Sequence, residues 1–356
     1  MQFLIDKHNW MQNSKATYIR DIERIKGSTI AIVYIFEGEN APGFDHYHIW
    51  KGDVIANWLK AVQSLGCRPF ILDVRTFVDK AMGGTLPHID FVLNLNCGSC
   101  DLSPMGLVPS TCAFMGIPCI PCDTVGIITG EHKHLSNLIA ASSNLLVPRT
   151  IPESSTEGIF RPLNFGSSHG VVTGYRPKSV KEGVYQEFIY GFDVTTPMVY
   201  NPLSDCFECL PTILYLPTSG ELSWYFGESA KSTSTGYERR IIHNISDDLK
   251  KHYNALCRSC SVHTYCRIDA RIQCNEVEQV NQILANPLST KNLYFVEINT
   301  MPTVKENNSF GYSFASITPE DTIYECMEVF RNNVANDSAH AFLLATSMIA
   351  YLRAKC

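Results

Sequence analysis

The chain opens with an alternation of apolar runs and helical spacings. "STIAIVYIF" (28–36) is continuously apolar and reads as a buried strand, and "DVIANWLKAVQSLGC" (53–67) repeats apolar residues at helical intervals before stopping near Gly66. "RPFILDV" (68–74), "IDFVLNLN" (89–96) and "GIPCIPC" (116–122) continue the alternation. Strands that alternate with helices predict a parallel sheet covered on its faces. Residues 1–125 are therefore expected to form an N-terminal α/β unit.

Further on, the periodicity changes. "EHKHLSNLIAASSNL" (131–145) predicts a helix, after which Pro148 and Pro152 introduce strand-rich sequence. "GIFRPLNFGSSHGVVTGY" (158–175) reads as two short strands around a Gly/Ser turn, and "VYQEFIYGFDVTTPMVY" (184–200) as a strong strand pattern. Beyond it, strands are predicted at 192–200, 211–216, 221–226, 263–273 and 291–299. Helices are predicted at 246–260, 319–333 and 337–354. The expected organisation is a small central domain over 126–190 and a larger one over 191–356, both α+β.

Composition narrows the function. With 45% hydrophobic and 18% charged residues and a formal net charge of −6, the chain lacks the clustered basic face of a nucleic-acid binder. Arg239-Arg240 is the one notable basic pair. The first residues, "MQFLIDKHNWMQNS", do not read as a signal peptide, and no apolar window is long enough to span a bilayer. The terminal "AFLLATSMIAYLRAKC" reads as a docked helix, and the expected location is cytoplasmic. Fourteen cysteines include four CxxC pairs, at 97/100, 119/122, 206/209 and 257/260, where random placement gives roughly half of one such pair. The first two pairs carry zinc-ribbon spacing. Their position at strand ends favours inert thiols over a structural zinc.

Candidate chemistry lies on two strands. In "NLYFVEINTMPTV" (292–304), Glu297 and Asn299 are two apart and so share a strand face; in "YCRIDARI" (265–272), Arg267 and Asp269 do the same. If those strands pair, hard oxygen ligands gather beside an arginine, a set that suits Mg2+ bridging phosphates. "FGSSHG" (165–170) offers a flexible turn whose N–H groups can approach phosphate oxygens. It joins strands and lacks the Walker pattern, and no G-x-G-x-x-G follows a strand. "QEFIYGFD" (186–193) could read an adenine edge through main-chain groups and a ribose through its final acid.

Taken in order, these segments resemble the ATP-grasp superfamily, in its D-alanine–D-alanine ligase branch. "IFRPLNFGSSHGV" is similar to that branch's KP…EGSS-x-G strand–loop–strand, "CRIDARI" to its R-x-D strand, and "YFVEINTMP" to its E-x-N-T-x-P strand. The resemblance covers about residues 116–312. It implies an α/β ATP-grasp fold, ATP and about two Mg2+ ions as cofactors, small amino-acid-like substrates, and a homodimer. It also implies roles. Lys133 and Arg161 would contact phosphates, and Gly166, Ser167 and Ser168 would form the lid loop. Gln186, Glu187, Phe188 and Ile189 would line the adenine pocket, Asp193 would take the ribose, and Lys231 would reach the γ-phosphate. Asp269, Glu297 and Asn299 would hold the metal; Arg267 would meet the oxyanion; Thr303 and Ser309 would contact substrate.

Departures from the branch fall where substrates are chosen. Arg161 replaces a lysine, Asp193 a glutamate and Thr303 a glycine. The branch's GG-x-S-x-E after the first strand is missing; "FEGENAPGFDHYHIWKG" (36–52) stands there, with Glu39, Asp45, His46 and His48 as local substrate-binding candidates. The expected activity is an ATP-dependent carboxylate–amine ligase of altered specificity, in specialised metabolism. A D-alanine–D-alanine ligase of peptidoglycan synthesis, an ATP-grasp kinase and a non-catalytic nucleotide binder remain open alternatives. Zinc or redox control could accompany any of them.

Overall fold

A computed structural model describes residues 2–36, 50, 52–97, 102–164, 166, 168–177, 182–331 and 338–354. Strands β1 (Thr29–Tyr34), β2 (Arg68–Asp73), β3 (Phe91–Asn94) and β4 (Cys119–Ile120) form a parallel sheet in the order β2-β1-β3-β4. All of β3 and the middle of β1 are buried, as a sheet covered on both faces requires. The helix Gly52–Ser64 turns Val54, Ile55, Trp58, Ala61 and Val62 inward. The strand order reverses between β1 and β3, and in open parallel sheets ligands bind beyond the carboxyl ends of strands at such a reversal.

A second, three-stranded antiparallel sheet holds β5 (Gly158–Pro162), β6 (Val172–Thr173) and β7 (Gly183–Glu187), in the order β6-β5-β7. The third sheet is antiparallel throughout. It holds β8 (Gly191–Asn201), β9 (Cys206–Cys209), β10 (Thr212–Pro217), β11 (Tyr237–Ile242), β12 (Tyr265–Gln273) and β13 (Leu293–Asn299). Its order is β11-β10-β8-β12-β13, with β9 also on β8.

Two features depart from the sequence reading. A 24-residue helix, Gln2–Ile25, precedes β1. The strand expected at 221–226 is absent, and β11 supplies that edge instead. "ELSWYF" alternates like a strand, but its backbone is satisfied by side chains: the Arg271 guanidinium donates to the Leu222 and Trp224 carbonyls, and Asp193 accepts from the Phe226 N–H.

One apolar core joins the first sheet to the third. Ile30, Ile32 and Leu93 share it with Val199, Tyr265 and the helix Ser338–Ala354, whose residues 339–349 are all buried. That helix answers to the expected docked segment. Among the described residues, no helix is long and apolar enough to cross a membrane.

The cysteines are distributed through these cores. Cys119, Cys122, Cys257 and Cys260 are buried, and the Cys257 and Cys266 sulfurs lie 3.6 Å apart. Burial pushes the Cys260 thiol up to about 12, so it is neutral at physiological pH. Among the described residues, no group of three or more His, Cys, Asp or Glu side chains could hold a metal ion, and Cys100 lies outside those residues.

Gly191 opens β8 at φ +143, and an added Cβ would stand 1.9 Å from the Ile272 carbonyl oxygen across the β8–β12 pair. Gly191→Ala is expected to lower stability by about 3 kcal/mol, read from chemical denaturation.

Candidate active site

Pairing of β12 with β13 builds the centre of the site. Its register sets Asp269 opposite Glu297 and Arg267 opposite Asn299, so the residues read as two separate pairs in sequence form one patch. Around it lie two adjoining cavities. A narrow slot of about 130 Å3 runs between the second and third sheets, and a chamber of about 750 Å3 extends toward the first. Tyr215, Phe226, Lys231, Arg267 and Ser309 line both.

Cations surround the carboxylates. Arg267 grips Asp269 with Nε 2.9 Å from Oδ1 and Nη2 2.6 Å from Oδ2, while the Thr195 hydroxyl donates to Oδ1 at 2.8 Å. The Lys133 ammonium lies 3.7 Å from a Glu297 oxygen. Burial disfavours the charge on Glu297, but Lys133, Lys231, Arg161 and Arg267 outweigh it and hold the carboxyl below its usual range. Burial also depresses Lys133 and Lys231 from the ordinary lysine value.

Arg161 is buried on β5 and spends its fork on the Val296 carbonyl and the Gln186 side chain, both at 2.7 Å. Gln186 in turn donates to the Pro148 carbonyl at 2.8 Å, and with Glu187, Phe188 and Ile189 it borders the slot. The Glu187 carboxylate accepts from the Arg149 guanidinium at 2.7 Å. Asp193 faces the slot, with Oδ1 receiving Arg271 at 2.8 Å and Oδ2 the Phe226 N–H at 2.6 Å.

The Gly/Ser loop meets the segment after β10 through several contacts: Lys231 Nζ donates to Ser168 Oγ at 2.9 Å, Ser168 Oγ donates to the Phe226 carbonyl at 3.4 Å, and His169 Nδ1 lies 3.7 Å from a Glu228 oxygen. Lys231 sits on the short helix Glu228–Thr233, and Gly166 borders the chamber. Thr303 and Asn299 also border the chamber, and the Asn299 side-chain oxygen accepts from the Met301 N–H at 3.0 Å. The Ser309 and Tyr215 hydroxyls are 2.7 Å apart. Ser167, Glu39, Asp45, His46 and His48 lie outside the described residues.

Sequence reasoning missed three groups. Arg271 is buried and places its guanidinium over the Phe188 ring while donating to Ile189, Gly191, Leu222, Trp224 and Asp193. Its signal was available, because Arg267, Asp269 and Arg271 alternate on one strand face. Tyr215 stacks on Phe226 at 4.1 Å, forming an aromatic wall. Glu131 borders the chamber, and burial raises its carboxyl to about 7, with Glu297 adding to the effect and Lys133 and Arg267 opposing it.

No family model matches the sequence. A D-alanine–D-alanine ligase of Clostridium perfringens is 22% identical over 249 residues, covering 62% of this chain and 75% of that protein. Among solved structures, the D-alanine–D-alanine ligase of Bacillus anthracis, in a complex with ATP, matches with a TM-score of 0.57 at 13% identity, over 92% of this chain and 99% of that one. The VanG D-Ala:D-Ser ligase of Enterococcus faecalis matches with a TM-score of 0.56 at 13% identity, over 91% and 100%. The chain thus has the ATP-grasp fold of the D-alanine–D-alanine ligase structures, and the resemblance carried by its strand motifs stands.

Two measurements test the electrostatics. Arg271→Leu leaves Asp193 without its cation and is expected to lower stability by about 3–5 kcal/mol in denaturant titrations. Glu131 takes up its proton more readily in the folded chain than at the ordinary 4.5, so stability falls as pH rises from about 4.5 to 7, and the cost is complete above that range. Glu131→Gln is expected to raise the melting temperature at pH 8 by about 2 °C and leave it unchanged at pH 4.

Proposed function

We propose that the protein is an ATP-dependent carboxylate–amine ligase that joins small amino-acid-like molecules through an acyl phosphate, forming ADP and phosphate. The observation that carries this reading is the gathering of Lys133, Lys231, Arg161 and Arg267 around Glu297 and Asp269, where an aromatic-walled slot opens into a polar chamber. ATP would lie in the slot, and the carboxylate and amine would meet in the chamber. The solved relative from Bacillus anthracis holds ATP on the same fold.

The donor set fits Mg2+. Asp269, Glu297 and Asn299 would hold it, offering hard oxygens from neighbouring positions on paired strands. Mg2+ held by these residues would supply positive charge to offset that of the phosphates.

The chain's own residues supply the rest. Lys133 and Lys231 would hold the triphosphate by its charge, and Arg161 would support the slot beneath it. Because Lys231 also holds Ser168, phosphate binding and lid closure would share one contact. The substrate carboxylate oxygen attacks the γ-phosphorus and the bond to ADP breaks. The amine nitrogen then attacks the acyl carbon, and the C–O bond to phosphate breaks as the tetrahedral intermediate collapses. Arg267 would meet that oxyanion, a reading supported by its fork: Nε and Nη2 hold Asp269, while Nη1 makes no hydrogen bond among the described residues.

The test is ADP and phosphate formation from Mg-ATP with D- and L-amino acids, singly and in pairs. Stoichiometric release that needs two amino acids is expected. Chelation of Mg2+ is expected to abolish it, and Lys231→Ala or Glu297→Gln to lower kcat by about 100-fold or more. ADP formed with phosphate retained on a single substrate would make the protein a kinase. Tight ATP binding without turnover on any pair would sink the amino-acid ligase reading.

A further inference from the structure

A third cavity, of about 320 Å3, shares no wall residue with the slot or the chamber. Alternation along β8 explains the separation. Asp193 and Thr195 border the slot, whereas Tyr200 falls on the other face of the strand and packs on the core of Phe192 and Met198. Phe207 on β9, Arg258 on the helix Asp247–Ser259, residues 261–263 after it and the last turns of Ser338–Ala354 complete the wall.

The lining is mostly apolar. Tyr200 meets Phe207 edge to face with ring centroids 5.4 Å apart, and Tyr351 stands beside His263 at 6.5 Å. Hydroxyls fix two of these rings: Tyr200 donates to the Asp205 carboxylate, and Tyr351 to the Cys119 carbonyl at 2.6 Å. Ala350 and Ala354 add only methyl-sized side chains, which leaves room beside the rings.

The polar groups are few, and no carboxylate lines the cavity among the described residues. His263 is already answered by Asp123, 3.0 Å from its Nε2. Arg258 is held more loosely. Its Nη2 donates to the Asp205 backbone carbonyl, a neutral group, and lies 3.6 Å from the Asp205 carboxylate. An exposed pair at that distance is worth little. Nε and Nη1 make no hydrogen bond among the described residues, so the guanidinium has two donors for a planar acid. Aromatic walls with a few orienting polar groups are the make-up of small-molecule sites, which begin at about 300 Å3. The volume therefore suits one ring system with a short arm.

We infer that this cavity is a separate binding site for a small aromatic carboxylate, its ring against Tyr200, Phe207 and Tyr351 and its acid on Arg258. The site goes beyond the ligase reading and does not depend on it.

The probes are indole-3-acetate and its uncharged counterpart indole-3-acetamide, titrated into the whole chain and followed by ligand-observed NMR. Wild-type protein is compared with Arg258→Gln and with Ala354→Phe, which fills the cavity from an exposed position and keeps Arg258. Wild-type protein is expected to bind the acid about 10-fold more tightly than the amide. Arg258→Gln is expected to remove that difference, and Ala354→Phe to weaken both probes about 10-fold, with melting temperatures unchanged. If one variant melts early, the other decides the question. Wild-type protein that binds neither probe, or binds the amide as tightly as the acid, overturns the inference. Undiminished binding of the acid by the folded variants also overturns it, placing the probe elsewhere in the molecule.

Discussion

A partly buried carboxylate keeps its charge most readily where cations surround it, and Glu297 sets that requirement for the whole site. Its neighbours come from four separate stretches. Lys133 opens a helix, Arg161 belongs to the small sheet, Lys231 to the short helix after the third sheet's turn, and Arg267 to the adjoining strand. Each adds its own attraction, and together they outweigh the cost of burial. The second and third sheets are thereby tied together at this point. The same gathering concentrates positive charge where a triphosphate is proposed to bind.

The parallel sheet contributes position more than charge. Its strand order reverses between β1 and β3, and Trp50 and Cys97, which come after those strands in the sequence, line the chamber. The antiparallel sheets contribute the charged side chains. The site is thus an agreement between two kinds of sheet: one that supplies an opening and one that supplies the groups to fill it.

Much of this was legible from spacing. Residues two apart on a strand share a face, so Glu297 with Asn299, and Arg267 with Asp269, could be placed before any coordinates. What spacing could not give was the register that sets one pair against the other, because register depends on a long-range pairing. Nor could it give the charge balance that holds Glu297 ionised. The missed strand β11 illustrates a different limit. Its alternating positions are Tyr237, Arg239 and Ile241 against Glu238 and Arg240, and a charged residue on the inward face hides the apolar period. The false strand at 221–226 failed for the opposite reason: its pattern suited a ladder, yet a buried arginine and an aspartate claimed its backbone groups.

The helix Ser338–Ala354 completes the apolar layer under β1 and β3, more than two hundred residues after those strands have been made. During synthesis, the first sheet emerges with that face uncovered. Its apolar side chains must wait for a partner encoded near the other end of the same message. Such a topology has high contact order, which slows folding and prolongs the exposure of a sticky surface. The early part of the molecule is thus the part most in need of a chaperone, and the last helix to form releases it.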